Sequence, residues 1–215
     1  MPLIAKDSGG GTDFAPIPAG MHHAVCYSVV DIGTQPQVGT FPARRKIVIT
    51  WEIPAETIEL EKDGKKVVLP RAVSARYTLS LASKGHLRPM LESWRGRAFT
   101  PEEMAGFDLK SLVGANCLIN IIHENGKGEN AHKVYGNVAS VSPLMKGTPR
   151  LTPINPKVLF SLDEFNGTIS DDIPDWVATL INKSKEYLAY GQPAPVNGGT
   201  APAVNLEVVD DDVPF

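Results

Sequence analysis

The chain has 215 residues, 42% hydrophobic and 21% charged, which suits one sizeable core with appendages or two small domains. No stretch reaches the roughly 20 apolar residues that a membrane-spanning helix needs, and residues 1–20 lack the basic-then-apolar order of a signal peptide. We therefore expect a cytoplasmic protein without a membrane partner. The two cysteines, Cys26 and Cys117, lie inside apolar runs, which favours buried reduced thiols over a disulfide.

The net charge of -3 conceals an uneven distribution along the chain. Residues 1–160 contain 19 lysines and arginines against 14 acidic residues, whereas residues 161–215 contain 2 against 10. A mildly basic body therefore carries an acidic C-terminal arm. This split favours an anionic ligand for the body and a basic partner for the arm.

The N-terminal part predicts an irregular arm followed by two strands. Residues 1–20 are rich in glycine and proline and predict the arm, and residues 22–32, between Gly20 and Gly33, predict the first strand. Residues 44–53 predict a second strand with clear alternation. Its apolar face consists of Ile47, Ile49, Trp51 and Ile53. Its other face, expected on the outside, consists of Lys46, Val48, Thr50 and Glu52.

A hairpin and a third strand follow. Residues 58–69 surround Asp63-Gly64, a pair that accepts the positive φ angles of a tight turn, so we expect a ribbon that extends strands two and three outward. The third strand is predicted over residues 72–81. Its apolar face consists of Val73, Ala75, Tyr77, Leu79 and Leu81. Its polar face consists of Ser74, Arg76, Thr78 and Ser80.

The central part predicts a helix and two more strands. Residues 85–94 place Leu87, Met90, Leu91 and Trp94 at helical spacing. A short helical turn begins at Thr100, where Pro101 and Glu103 complete a capping box. Strands are predicted over residues 115–124 and 132–141, joined by a flexible loop.

Three strands, a helix and two strands form the order of an OB-fold, a Greek-key barrel whose outer face and loops bind single-stranded nucleic acid or oligosaccharides. The predicted fold is therefore mainly β. It is a five-stranded OB-fold barrel over residues 21–145, with an extended hairpin between strands two and three and a helix between strands three and four.

Three segments follow the barrel. Residues 146–190 predict a proline-rich strap and an amphipathic helix from 174 to 190, whose apolar stripe fits capping the barrel, forming a homodimer or binding another protein. Residues 191–206 predict a disordered linker, since they have too little apolar bulk to fold. Residues 207–215 form an acidic tip.

The sequence contains no pattern that indicates catalysis. His22 and Cys26 share a strand face but lie about 13 Å apart at roughly 3.3 Å per residue, too far for one metal ion. We therefore interpret His22 and His23 as strand-start residues and Cys26 as a core thiol. Glycine motifs that cradle phosphates and nucleophile elbows are absent from the sequence. We expect no catalytic residue, no metal and no cofactor, and hence a protein that is not an enzyme.

Basic side chains from separate segments are candidate phosphate contacts. If strands two and three pair, Arg44, Lys46 and Arg76 project from the outer surface. Other basic residues leave the helix or flank the loop between strands four and five. The set is Arg44, Arg45, Lys46, Arg76, Arg95, Arg97, Lys127 and Lys133. Each alone could be an ordinary solvated charge, but together they favour a binding groove.

Aromatic residues divide by strand face. Trp51, Trp94 and Tyr77 lie on apolar stripes, which favours the core over base stacking. Tyr135 faces away from Val134 and Gly136, and Phe41 lies in the loop before the basic run of strand two. Phe41 and Tyr135 are therefore the aromatic candidates for base stacking.

The tip provides a family resemblance. The sequence "DDDVPF", comprising Asp210, Asp211, Asp212, Val213, Pro214 and Phe215, resembles the acidic tip of bacterial single-stranded DNA-binding proteins, with valine in place of the usual isoleucine. In that family the tip follows an OB-fold and a disordered linker, and it docks replication, recombination and repair proteins. The resemblance implies that these six residues bind such host partners. Phe215 offers a ring and a carboxylate that a pocket with a basic rim could take together.

A second resemblance covers roughly residues 1–150. "MPLIAKDSGG", "LESWRGRAFTPEE" and "FDLKSLVGANCLINIIHE" resemble small phage and prophage proteins regarded as phage-type single-stranded DNA-binding proteins. This implies a role in phage DNA replication or recombination. Two alternatives stay open: an OB-fold adaptor or inhibitor whose tail mimics the host tip, and a recombinational annealing protein. As a hypothesis, the acidic tail also competes with DNA for the basic groove.

Overall fold

The computed structural model describes residues 15–62 and 65–190. The Asp63-Gly64 turn, the linker 191–206 and the tip 207–215 lie outside the described residues, as do the first 14 residues of the arm.

Five strands form one curled antiparallel sheet in the order β3-β2-β1-β4-β5, and β3 approaches β5 to give a half-barrel compatible with an OB-like barrel. They are β1 (Gly20–Gln35), β2 (Arg44–Lys62), β3 (Lys65–Thr78), β4 (Asn116–Asn125) and β5 (Val134–Ser142). A short β6 (Val158–Phe160) pairs in parallel with Ser28–Val30 of β1. The predicted mainly β class and the five strands are confirmed.

The ribbon formed by β2 and β3 is also confirmed. Pairing continues from Lys46 with Thr78 as far as Lys62 with Lys65, on either side of the predicted turn. A register shift between Ile53 and Thr57 marks a bulge. Bulges bend a strand locally, so this is where the ribbon departs from the curved part of the sheet.

The inner face of the sheet carries the main core. Its β2 members are the four predicted residues, each at most 1% exposed: Ile47, Ile49, Trp51 and Ile53. Burial of each such side chain contributes roughly 1.5–3 kcal/mol. Trp51 packs against Trp94 with ring centroids 5.7 Å apart, so both tryptophans belong to the core, as predicted.

Helices close one end of this core. Helix α1 (Leu87–Arg95) buries Leu87, Leu91 and Trp94. Helix α2 (Pro101–Ala105) begins with the predicted capping box, in which Thr100 and Glu103 satisfy each other's backbone N–H groups. A 3₁₀ helix (Leu109–Leu112) leads into β4, and another (Gly128–Asn130) lies in the loop before β5.

A second core covers the outer face of β1 and β2. After β6 and a 3₁₀ helix (Leu162–Glu164), helices α3 (Asp175–Asn182) and α4 (Lys185–Ala189) pack on this face. We call residues 146–190 the C-terminal cover. The buried members of this second core are Val30, Ile32, Val48, Val158, Ile173, Val177 and Ile181. Of the three roles proposed for the apolar stripe, capping the barrel is therefore realised.

The sequence predicted one helix over residues 174–190, and this is wrong. The chain forms two helices because Ser184 adopts an extended conformation and its hydroxyl accepts a hydrogen bond from Tyr187 N–H, which starts a new helix. Ser184 is fully buried, whereas Trp176 and Leu188 of the predicted stripe are 47% and 56% exposed.

The outer face of β2 also differs from the prediction. Val48, Thr50 and Glu52 are buried, because the C-terminal cover and β3 enclose them. Glu52 accepts hydrogen bonds from the backbone N–H groups of Ile154 and Asn155. Outside the ribbon, the beginning of β2 and the neighbouring part of β3 keep an accessible outer surface. Among the described residues, no helix is long and apolar enough to cross a membrane.

Candidate nucleic-acid interface

The accessible outer surface near the start of β2 brings several predicted residues together. Lys46 pairs with Thr78 and Val48 pairs with Arg76, and side chains of directly paired residues lie on the same face. Arg44 lies two residues before Lys46 and therefore shares that face. Val48 is 1% exposed while Arg76 is exposed, so the edge of the cover runs between these two side chains.

Phe41 lies in the loop that leads into this surface. A tight turn holds the loop: Phe41 N–H donates to Val38 at 2.9 Å, Val38 N–H donates back at 3.2 Å, and Gly39 has a φ of +54°. Phe41 is 51% exposed, a high value for an aromatic ring. We call Phe41, Arg44, Lys46 and Arg76 the barrel-edge patch.

Arg45 does not share this arrangement. Its Nη2 lies 2.5 Å from Asp31 Oδ2 and 2.9 Å from Asp163 Oδ1, and its hydrogen bonds to Asp31 raise the pKa of the guanidinium. Asp31 is 6% exposed and also accepts the N–H groups of Gly33 and Leu162. Arg45 therefore joins β1 to the C-terminal cover, and its charge is balanced within the molecule.

Lys127, Lys133 and Tyr135 form a second group, which we call the loop group. Tyr135 pairs with Glu124 and is 43% exposed, on the face opposite Gly136 and Val138, as predicted. Gly20, the first residue of β1, pairs with Ile121, so the last residues of β4 and their partners in β5 lie beyond the start of β1. Phe41, by contrast, follows the last residue of β1. The loop group therefore lies at the opposite end of β1 from the barrel-edge patch.

Arg95 and Arg97 form a third group at the end of α1. Gly96 adopts a φ of +68°, which ends the helix and turns the chain between them. The Arg95 guanidinium lies 4.4 Å from the ring centroid of Phe99, and Glu103 accepts hydrogen bonds from both arginines. The bonds from Arg97, with those from Thr100 N–H and Arg95, lower the pKa of Glu103 to about 2.

Arg95 and Arg97 line a cavity of about 660 Å³, which we call the arginine cavity. Its other wall is formed by residues 143–148 and by Arg150, where the chain passes from β5 into the strap, and it includes the cations Lys146 and Arg150. The sequence reasoning missed these two residues. The only signal was the string "MKGTPR", in which two basic residues surround a glycine, and nothing in the string indicates that it faces α1.

The predicted contacts therefore fall into three groups rather than one groove. The barrel-edge patch and the loop group each combine cations with an exposed ring, which is the combination that holds phosphates and stacks bases. The arginine cavity combines cations with a partly apolar lining.

His22 and His23 each have a hydrogen-bond partner, and Cys26 is fully buried. His22 Nε2 lies 2.8 Å from the carbonyl of Pro18, and His23 Nε2 lies 3.0 Å from Asn116 Oδ1. Burial raises the pKa of the Cys26 thiol to about 12 and also raises that of Cys117. Across residues 15–62 and 65–190, no three His, Cys, Asp or Glu side chains are grouped so that they could hold a metal ion.

Comparison with known proteins finds no matching protein-family model, no matching curated sequence and no matching solved structure.

Proposed function

We propose that this protein is a non-catalytic, phage-type single-stranded DNA-binding protein that acts in the cytoplasm of a bacterial host. An OB-fold barrel binds exposed single strands with little sequence preference during phage DNA replication or recombination. The acidic tip, Asp210 to Phe215, recruits host replication or repair proteins.

The barrel-edge patch carries this proposal. It consists of Arg44, Lys46 and Arg76 on one outer face and of Phe41, whose ring is exposed in the loop that leads into this face. Cations along a strand hold phosphates, and stacking of a base on an aromatic ring contributes roughly 1–3 kcal/mol without regard to sequence. Duplex DNA keeps its bases stacked on each other, so this combination favours single strands.

The topology supports an OB-fold. The order β3-β2-β1-β4-β5, the approach of β3 to β5 and the helix between β3 and β4 are compatible with the five-stranded Greek-key barrel. Phe41 of the barrel-edge patch lies in the loop between β1 and β2, and Lys127 and Lys133 of the loop group lie in the loop between β4 and β5. These are the two loops with which OB-folds bind oligonucleotides.

The direct test is a fluorescence anisotropy titration of labelled oligo-dT, compared with duplex DNA of the same length, at several salt concentrations. We expect binding to the single strand at low salt that weakens as salt rises, and much weaker binding to duplex. Phe41→Ala should weaken binding by roughly 5- to 150-fold, since stacking contributes roughly 1–3 kcal/mol. Lys183→Gln, an exposed cation on the C-terminal cover, is the matched control. Failure to bind oligo-dT at low salt would refute the proposal.

A second candidate is the adaptor whose barrel binds protein. The observation that favours it is a set of large apolar side chains on the outside of the C-terminal cover: Trp176, Leu188 and Tyr190 are 47%, 56% and 49% exposed. This candidate predicts no oligonucleotide binding, together with tip-dependent binding to a host protein that recognises the tip of the host's own single-stranded DNA-binding protein.

An assay with complementary strands tests the annealing alternative.

A further inference from the structure

We infer that the arginine cavity is a binding site for a terminal phosphate group, carried by the end of a DNA strand or by a free nucleotide. The inference rests on the proposed function for the first of these sources. It assigns a separate role to a site that lies away from the barrel-edge patch.

The charge around the cavity is unbalanced. Four cationic side chains line it, Arg95, Arg97, Lys146 and Arg150, and the only acidic side chain among the lining residues is Glu103. Within the described part of the chain, Lys146 and Arg150 have no ion-pair partner. Among the described residues, the lining therefore has a surplus of three positive charges.

The inner part of the cavity is already ordered. The Arg95 guanidinium packs against the rings of Phe99 and Phe107, at 4.4 Å and 5.1 Å from their centroids, and bonds to Glu103. Its buried Nη1 has no hydrogen-bond partner within the described residues. An ordered guanidinium loses little side-chain entropy when an anion binds, and arginine suits phosphate because it can donate two parallel hydrogen bonds.

The outer part is shaped by the strap. Thr148 N–H donates to the carbonyl of Met145 at 3.1 Å, and Gly147 has a φ of +87°, so residues 145–148 form a tight turn. Lys146 lies within this turn and Arg150 follows it, and the cavity lies between these two residues and Arg95 and Arg97 at the end of α1.

The surplus positive charge of the cavity favours a ligand that carries more than one negative charge. A phosphodiester within a strand carries one negative charge, whereas a terminal phosphate carries about 1.5–2 at pH 7. A volume of about 660 Å³ falls within the range of small-ligand sites and exceeds that of a phosphate alone. The apolar lining from Trp94, Phe107 and Leu112 supplies a surface for the sugar and base.

The test compares three oligo-dT strands of equal length, with a 5′ phosphate, with a 3′ phosphate and with neither. Isothermal titration calorimetry with inorganic phosphate and with thymidine monophosphate forms the second arm. The variant is the double substitution Lys146→Gln and Arg150→Gln. The control, Lys183→Gln with Lys185→Gln, removes the same charge elsewhere, and both variants change only exposed residues.

We expect one of the phosphorylated strands to bind about 10-fold more tightly than the unphosphorylated strand, as charge-assisted hydrogen bonds allow. The double variant should abolish this difference while the control retains it. Equal affinity for all three strands, with no binding of phosphate or thymidine monophosphate, would overturn the inference.

The oligonucleotide titrations and the small-ligand titrations together distinguish a strand end from a free nucleotide as the source of the phosphate. They also test the proposed function and the cavity independently. Binding of thymidine monophosphate that is lost in the double variant, without binding of any oligonucleotide, would support the cavity as a nucleotide site and refute the proposed function. Binding of all strands without preference, and without binding of either small ligand, would support the proposed function and refute the cavity.

Discussion

The buried carboxylate of Glu52 accepts two hydrogen bonds from Asn155, one from its backbone N–H at 2.9 Å and one from its side-chain amide at 2.7 Å. A third comes from Ile154 N–H at 2.6 Å. One side chain of β2 therefore satisfies three donors of the strap.

Replacing Glu52 tests this attachment. Glu52→Gln keeps the shape of the side chain but replaces one carboxylate oxygen with an NH2 group, which cannot accept the hydrogen bonds that Ile154 and Asn155 donate. We therefore expect the free energy of unfolding to fall by about 1–3 kcal/mol. Urea denaturation measures the change. Glu59→Gln, on the exposed ribbon of the same strand, should leave the transition midpoint unchanged. Equal midpoints for the two variants would show that the hydrogen bonds to Glu52 contribute nothing to stability.

The adjacent residues Arg44 and Arg45 should behave in opposite ways. Arg45→Gln breaks the ion pairs with Asp31 and Asp163, so we expect a loss of about 1–3 kcal/mol in the free energy of unfolding. Arg44→Gln removes an exposed cation and should change stability by less than about 0.5 kcal/mol. It should weaken oligo-dT binding and reduce the slope of log affinity against log salt by about 0.7. A reversed pattern would mean that Arg45 is the DNA contact.

Glu103 should make stability depend on acid pH. Its pKa falls from the ordinary 4.5 to about 2 because Arg97 donates to its carboxylate, as do Thr100 N–H and Arg95. The folded protein therefore binds this proton more weakly than the unfolded chain. The stabilisation is complete above about pH 4.5 and is lost as the pH falls toward 2. Glu103→Gln should flatten the curve of urea midpoint against pH in this window, and a curve parallel to the wild type would contradict the assignment.

The cysteines should be unreactive in the folded protein. Cys26 and Cys117 are both fully buried, and burial raises the pKa of Cys26 to about 12, so little thiolate forms at pH 8. We expect a colorimetric thiol reagent to detect no thiol under native conditions and both in concentrated urea. Rapid reaction of either thiol in the folded state would show that this part of the core opens readily.

The acidic tip should reduce DNA binding at low salt. Deleting residues 207–215 removes Glu207 and the three aspartates 210–212, which we propose compete with phosphates for the cations of the barrel. We expect several-fold tighter oligo-dT binding at low salt and no difference at high salt. Changing only Val213, Pro214 and Phe215 to alanine keeps the charge, so it should leave DNA affinity unchanged while removing partner binding. Unchanged affinity after the deletion would rule out competition.

Local sequence patterns predicted those parts of the fold that depend on neighbouring residues. The alternation of β2 identified Ile47 and Trp51 as core residues, and the spacing of Thr100 and Glu103 identified the capping box. Both follow from the period of the backbone and need no knowledge of distant segments.

Long-range packing could not be predicted in the same way. Val48 is a single apolar residue on an otherwise polar strand face, and its partners Ile173 and Ile181 lie far along the chain. The periodicity of residues 174–190 indicated that their apolar stripe packs against another surface, but it did not identify that surface. The same limit applies to the site: Arg44 and Arg45 are chemically identical, and only tertiary contacts distinguish an exposed cation from one paired with Asp31.

The dependence of the outer face on the C-terminal cover affects the order of folding during synthesis. Val30, Ile32 and Val48 leave the ribosome long before Ile173 and Ile181, which bury them. At about 5–20 residues per second, the apolar strip on β1 and β2 has no native partner for on the order of ten seconds. A nascent chain therefore exposes this apolar surface until residues 158–181 have been translated and can cover it.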